Sequence, residues 1–167
     1  MKVLLIEDSE RLRRSIETGL KKSGFAVDVS ADGTDGLWRA ENHDYDVIVL
    51  ANVLHHVEPA TRQTVMTRLR DFMAPGGRII LFEHNPFNPF TRRVVKHSPL
   101  DQGVVLLPPA ETISYLKKSA FESIQMRYIV FFPKWLSALR GLESSLSWLS
   151  LGAQYVVYGS FKRKQAD

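Results

Sequence analysis

Short apolar runs with no polar alternation recur along this chain, and each is followed by a stretch with helical spacing. Lys2 to Ile6, Asp46 to Leu50 and Arg78 to Phe82 are the clearest of these runs. A strand that alternates apolar and polar residues has one wet face, whereas an unbroken apolar run of about five suits a strand covered on both faces of a parallel sheet. The stretches between them fit the covering helices. Asp8 or Ser9 can cap a helix that begins near Glu10, Leu12, Ile16 and Leu20 form its stripe, and Gly24 stops it. Phe25 to Ser30 reads as a second strand and Thr34 to Asn42 as a second helix, with Leu37, Trp38 and Ala40 available for packing. Glu58-Pro59 starts a third helix with Val65, Leu69 and Phe72 on its buried face, and Pro75-Gly76-Gly77 ends it.

The alternation continues to the end. A long loop rich in proline and asparagine runs from Glu83 to Pro109, followed by a helix over Ala110 to Ser119 and a strand over Phe121 to Phe132. Pro133 to Ser150 reads as an amphipathic helix or helix pair with Trp135, Leu139, Leu142, Leu146 and Leu149 as its stripe, and Gln154 to Phe161 as a last strand. Strand and helix in alternation predict an α/β, doubly wound, mostly parallel sheet within a single domain over residues 1–167. At 44% hydrophobic and 24% charged residues, the chain can bury a core of ordinary size.

Several function classes drop out on composition. With no cysteine there is no disulfide, thiolate metal site or cysteine nucleophile. The net charge of +4 is spread along the chain, and the basic end at Lys162, Arg163 and Lys164 carries no nucleic-acid motif. A solvated tail is the preferred reading, and neither nucleic acid nor another partner is expected. The apolar region from Tyr128 to Tyr158 is broken by Lys134, Arg140 and Glu143, so no membrane span is expected. MKVLLIEDSE does not read as a signal peptide, and a cytoplasmic location is expected.

Residues 1–50, KVLLIEDSERLRRSIETGLKKSGFAVDVSADGTDGLWRAENHDYDVIVL after the initial Met, resemble the N-terminal half of a response-regulator receiver domain. The resemblance implies a Mg²⁺ site on two carboxylates after the first strand and a phosphoacceptor aspartate after the third. Glu7 and Asp8 match the pair, but Ala51 stands at the phosphoacceptor position and has no carboxylate. Phosphorelay signalling is not expected. A residual Mg²⁺ site from Glu7, Asp8 and Asn52 is the one metal site carried forward.

From about Tyr45 onward the chain resembles a class I S-adenosylmethionine methyltransferase, in YDVIVLANVLHHV, LRDFMAPGGRIILFEHNPFNPFTRRVV, ISYLKKSAFESI and LGAQYVVYG. That resemblance implies a last strand running antiparallel between its two predecessors. It also implies a glycine-rich cofactor turn after the first strand, where this chain has Glu7-Asp8-Ser9-Glu10, and an acid ending the second strand, where it has Ser30. Carboxylates in that turn oppose the cofactor's own carboxylate, so no cofactor is expected. His55 and His56 could ligate metal or move protons. No third ligand follows at zinc-site spacing, and the preferred reading is that they cap or pack the third strand's exit. Arg92, Arg93 and Lys96 could hold an anion, with a solvated loop preferred.

Joined, the two resemblances predict a strand order 2-1-3-4-6-5, with residues 1–50 receiver-like, 51–167 methyltransferase-like and a junction within about 44–52. The functional expectation is an engineered chimeric scaffold with no catalytic site, not an enzyme. The alternatives are residual binding of S-adenosylmethionine or a nucleotide at the strands' C-terminal edge, and a receiver-like interaction module that needs no phosphorylation.

Overall fold

The computed structural model describes residues 1–101 and 103–161. The basic residues Lys162, Arg163 and Lys164 lie outside the described residues. Six strands form one sheet: β1 (Lys2–Ile6), β2 (Ala26–Ser30), β3 (Tyr45–Ala51), β4 (Met73–His84), β5 (Glu122–Ile129) and β6 (Gln154–Ser160). Their order is β2-β1-β3-β4-β6-β5. β1 pairs parallel with β2 and β3, and β3 parallel with β4, while β6 runs antiparallel to both β4 and β5. Both the predicted order and the antiparallel last strand are found.

The apolar runs do what their pattern implies. Leu4, Ile6, Ile48, Leu50, Ile79 and Leu81 point to one face, where Ala40 of α2 (Gly33–Asn42), Met66 and Leu69 of α3 (Arg62–Asp71) and Leu116 of α5 (Pro109–Lys118) cover them. Val3, Leu5, Val47 and Val49 point to the other face and meet Ile16 and Leu20 of α1 (Glu10–Lys22). Each such side chain contributes about 1.5–3 kcal/mol by leaving water. Gly36 lets α2 lie against β1, because a Cβ there would sit 2.4 Å from the Ile6 Cδ1 atom.

Several boundaries differ from the sequence reading. α3 ends at Asp71 and β4 begins at Met73, so Pro75-Gly76-Gly77 lies inside the strand rather than closing the helix, and β5 ends at Ile129 rather than Phe132. α3 begins at Arg62 rather than at Glu58-Pro59, because Glu58 to Thr61 closes a turn in which the Thr61 N–H donates to the Glu58 carbonyl at 2.9 Å. The expected loop from Glu83 to Pro109 contains α4 (Pro89–His97), whose cap, Asn88, accepts from the Phe90 and Thr91 N–H groups. Residues Lys134–Leu142 form 3₁₀ structure, broken at Leu136, before the short α6 (Glu143–Leu146). The stripe expected there is not buried: Trp135 and Leu142 are exposed. No helix among the described residues is long and apolar enough to cross a membrane.

Candidate active site at the C-terminal edge of the sheet

In an open parallel sheet, the C-terminal strand ends form the edge where side chains from several elements converge. β1 delivers Glu7 there, β3 delivers Asn52 and the 3₁₀ turn Leu54–His56, and β4 delivers Glu83 and His84. Glu7 is buried, with Oε1 accepting the Ser9 N–H at 2.9 Å and Oε2 left with no hydrogen-bond partner among the described residues. Burial pushes its carboxyl up to about 7, helped by the neighbouring Asp8 and opposed by the Ser9 N–H and the Asn52 amide. Asp8 is exposed and accepts from the Ser9 N–H at 2.8 Å. Asn52 has a left-handed backbone (φ 53°), and its carbonyl oxygen accepts from Gln154 at 3.1 Å.

The β3 and β4 ends carry a denser group. Ala51 pairs with Phe82 in the parallel register, so Glu83 sits one step beyond, beside the 54–56 turn. The Glu83 side chain is fully buried; Oε1 accepts the Leu54 N–H at 2.9 Å, and Oε2 lies 2.7 Å from His55 Nδ1. His55 Nε2 lies 3.3 Å from Asp101 Oδ1, and His56 Nε2 lies 3.6 Å from both Asp101 Oδ1 and Asp8 Oδ2. The two histidine rings stack obliquely at 4.3 Å. Burial disfavours the charged form of His55, but the Glu83 and Asp101 carboxylates outweigh it and raise its pKa. Arg62, also buried, braces the turn by donating to the Val57 and Val105 carbonyls at 2.9 and 2.8 Å.

Beside this group opens a slot of about 360 Å³, lined by apolar side chains including Ile6, Leu37, Leu50 and Val53, with Thr34 and His56 also facing it. His56 is therefore the accessible histidine, and His55 stands behind it with no exposed side-chain surface.

The sequence-predicted residues divide accordingly. Glu7, Asp8 and Asn52 come to one edge. His55 and His56 do more than cap a strand, because Asp101 and Glu83 meet them from 46 and 28 residues away. Sequence reasoning missed Glu83, Asp101 and Arg62. An acid closing the apolar run of β4 was the one signal for Glu83, whereas Asp101 arrives on a loop and had none. Asp32, the nearest acid after β2, caps α2 by accepting the Thr34 and Asp35 N–H groups. Arg92, Arg93 and Lys96 are exposed on α4, along an open groove of about 540 Å³.

No family model matches the chain. Over 50 residues it is 44% identical to the transcriptional regulatory protein HprR of Escherichia coli, covering 30% of this chain and 22% of that protein. Over 70 residues it is 36% identical to the transcriptional activator protein IrlR of Burkholderia pseudomallei, covering 42% and 29%. The chain thus spans less than a third of these curated relatives. Among solved structures, a SAM-dependent methyltransferase from Archaeoglobus fulgidus superposes with TM-score 0.73 at 12% identity over 96% of this chain and 86% of that one. A SAM-dependent methyltransferase from Thermotoga maritima, described as a possible histamine N-methyltransferase, gives 0.58 at 16% identity, over 96% and 82%. At these identities the likeness is one of fold.

The comparisons correct the functional expectation. The receiver likeness is confined to part of the chain, while the methyltransferase fold runs through nearly all of it. The reading of an inert engineered scaffold that is not an enzyme is overturned, because the structural neighbours are methyltransferases and the sequence relatives are regulators with activities of their own.

Proposed function

We propose that the chain binds S-adenosylmethionine in the slot at the C-terminal edge and transfers its methyl group, with His56 taking the proton of the methyl acceptor. The observation that carries this reading is an accessible histidine at the mouth of an apolar slot, with the Asp8 and Asp101 carboxylates beside it. In this reading the receiver-like stretch supplies β1, α1, β2 and α2 of a methyltransferase-type sheet.

The residues fit the cofactor in two respects. The slot under Ile6, Leu37, Leu50 and Val53 suits the flat face of an adenine ring. The unpartnered Glu7 Oε2 suits an ammonium, which would complete its hydrogen bonding and favour its ionised form. An ammonium set against Glu7 would itself offset the like charge that the glycine-free turn presents to the cofactor's carboxylate.

Bound there, the cofactor supplies an electrophilic methyl group on a cationic sulfur. His56 Nε2, near Asp8 and Asp101, takes the acceptor's proton, and the two carboxylates stabilise the imidazolium that forms. Glu83 and His55 hold the turn that presents His56.

Calorimetry with S-adenosylmethionine and S-adenosylhomocysteine tests the reading. Micromolar binding is expected, abolished by Thr34→Trp at the exposed rim of the slot. His56→Ala keeps the binding and loses methyl transfer. Absence of binding by the intact chain would overturn the proposal. The Mg²⁺ site at Glu7, Asp8 and Asn52 is a separate proposal for the same edge. A Mg²⁺ titration followed by NMR shifts at those residues tests it, and no response at millimolar metal removes it.

A further inference from the structure

We infer that His55, His56 and Asp101 form a binding site for a first-row divalent transition metal, with Zn²⁺ as the best-matched ion. The inference does not depend on methyl transfer, and it excludes proton uptake at the same atom: with a metal bound, the His56 Nε2 lone pair is a ligand and no longer a base. One ligand atom from each of the three residues can be chosen so that all lie within 4.8 Å of one another.

The spacing is the first argument. A tetrahedral ion with Zn–N and Zn–O distances of about 2.0–2.1 Å sets its ligand atoms roughly 3.3–3.4 Å apart. His55 Nε2 and Asp101 Oδ1 are separated by 3.3 Å, and His56 Nε2 and Asp101 Oδ1 by 3.6 Å. Two of the three donor pairs already stand at about the edge length of such a shell, and all three donors lie within 4.8 Å of one another.

The hydrogen bonding behind the site is the second argument. Glu83 accepts the Leu54 N–H with one oxygen, which fixes the carboxylate, and its other oxygen lies 2.7 Å from His55 Nδ1. The proton of a neutral His55 therefore belongs on Nδ1, and the Nε2 lone pair then faces Asp101. Two acceptors 3.3 Å apart repel unless a cation lies between them. A proton can fill that role, and so can a metal ion, which also draws in His56. A carboxylate that holds one imidazole nitrogen while the other meets the metal is the usual outer support of a histidine-ligated ion.

Ligand chemistry selects the metal class. Two imidazoles and one carboxylate favour zinc and its neighbours over the hard ions Mg²⁺ and Ca²⁺, which take oxygen shells. Three protein ligands leave a fourth position for water. Asp8 approaches His56 but falls outside the three-donor set.

The test is titration of the metal-free full chain with Zn²⁺ by calorimetry and with Co²⁺ by visible absorption. One equivalent is expected to bind in the micromolar range or tighter, with the intense visible bands of tetrahedral Co²⁺. Asp101→Asn and His56→Ala are each expected to weaken binding about tenfold or more, with circular dichroism verifying that they fold. Three results would overturn the site: no Zn²⁺ binding, binding unchanged in both folded variants, or binding of Mg²⁺ in preference to Zn²⁺. A loss of Zn²⁺ binding in Asp101→Asn with S-adenosylmethionine affinity retained would support the metal site and separate it from the cofactor slot.

Discussion

Two glutamates end neighbouring parts of the same sheet edge, and both are buried, but their surroundings differ. Glu83, at the end of β4, has each oxygen engaged: one by the Leu54 N–H, the other by His55. Glu7, at the end of β1, has one oxygen on the Ser9 N–H and the other without a hydrogen-bond partner among the described residues. Burial with an orphaned oxygen makes the Glu7 carboxyl hold its proton to higher pH. Glu83 is thus complete in its own hydrogen bonding, while Glu7 is left with an unmet polar atom. Such a group marks either a local weakness or the place of a ligand.

The largest test of this contrast is Glu83→Ala. It leaves the Leu54 N–H and the His55 imidazole without their partner in a dry site. Breaking a buried pair from one side costs about 3–5 kcal/mol. Urea denaturation should show a loss of that size. A loss under about 1 kcal/mol would mean that water or a neighbour replaces the carboxylate, and the two sides would no longer differ.

Glu7→Gln should act in the opposite direction and depend on pH. The folded carboxyl titrates near 7 and the unfolded one near 4.5, so between these values the native state holds a proton that the unfolded state lacks. The Glu7 contribution to stability is therefore greatest below about pH 4.5, falls as pH rises and is flat above about 7. Glutamine does not titrate. The variant should gain on the parent from about pH 5 to about pH 8, by up to about 3 kcal/mol, since each tenfold difference in proton affinity between the two states is worth about 1.4 kcal/mol. Melting curves across that range measure it, and a constant difference would show that Glu7 has an ordinary carboxyl.

Asn52 lies between the two sides, and Asn52→Ala should cost about 1 kcal/mol. Its backbone is left-handed, which asparagine tolerates better than alanine, and its side chain ties to Gln154. Removing the amide also removes one of the groups that favour ionised Glu7, so the pH window of the previous experiment should move upward. Asn52→Gly separates the effects: it relieves the backbone and keeps the change in Glu7.

The contrast between the glutamates was only half legible in the sequence. The strands were readable because runs such as Val47 to Leu50 carry their burial in their composition, while their order came from the resemblances to the receiver and methyltransferase folds. The Glu7-Asp8 pair was readable because it follows the first apolar run directly. The partners of the histidines were not. Glu83 reaches His55 only through the register that sets Ala51 opposite Phe82. Asp101 arrives from a 3₁₀ turn (Pro99–Asp101) beyond α4, and that helix itself was read as loop. The receiver-like motif at Glu7 and the methyltransferase-like motif at His55 are each local, whereas the chemistry at the edge comes from contacts spanning 28 to 46 residues. Judging each motif for completeness on its own therefore led to the expectation of an inert chain.

The smallest predicted effect concerns Ser9, which touches the β1 side in two ways. Its hydroxyl caps α1 through a long bond, 3.5 Å from the Leu12 nitrogen, while its backbone N–H serves Glu7. Ser9→Ala removes the first and keeps the second. Replacing a capping serine by alanine costs about 0.5–2 kcal/mol, and the length of this bond places the loss at the lower end, about 0.5 kcal/mol. Because the N–H remains, the Glu7 midpoint should not move, so the parent and Ser9→Ala stability curves should run parallel from about pH 5 to about pH 8. Curves that converge or diverge would mean that the hydroxyl helps to hold the Glu7 carboxyl, and the unmet oxygen on the β1 side would then have a partner after all.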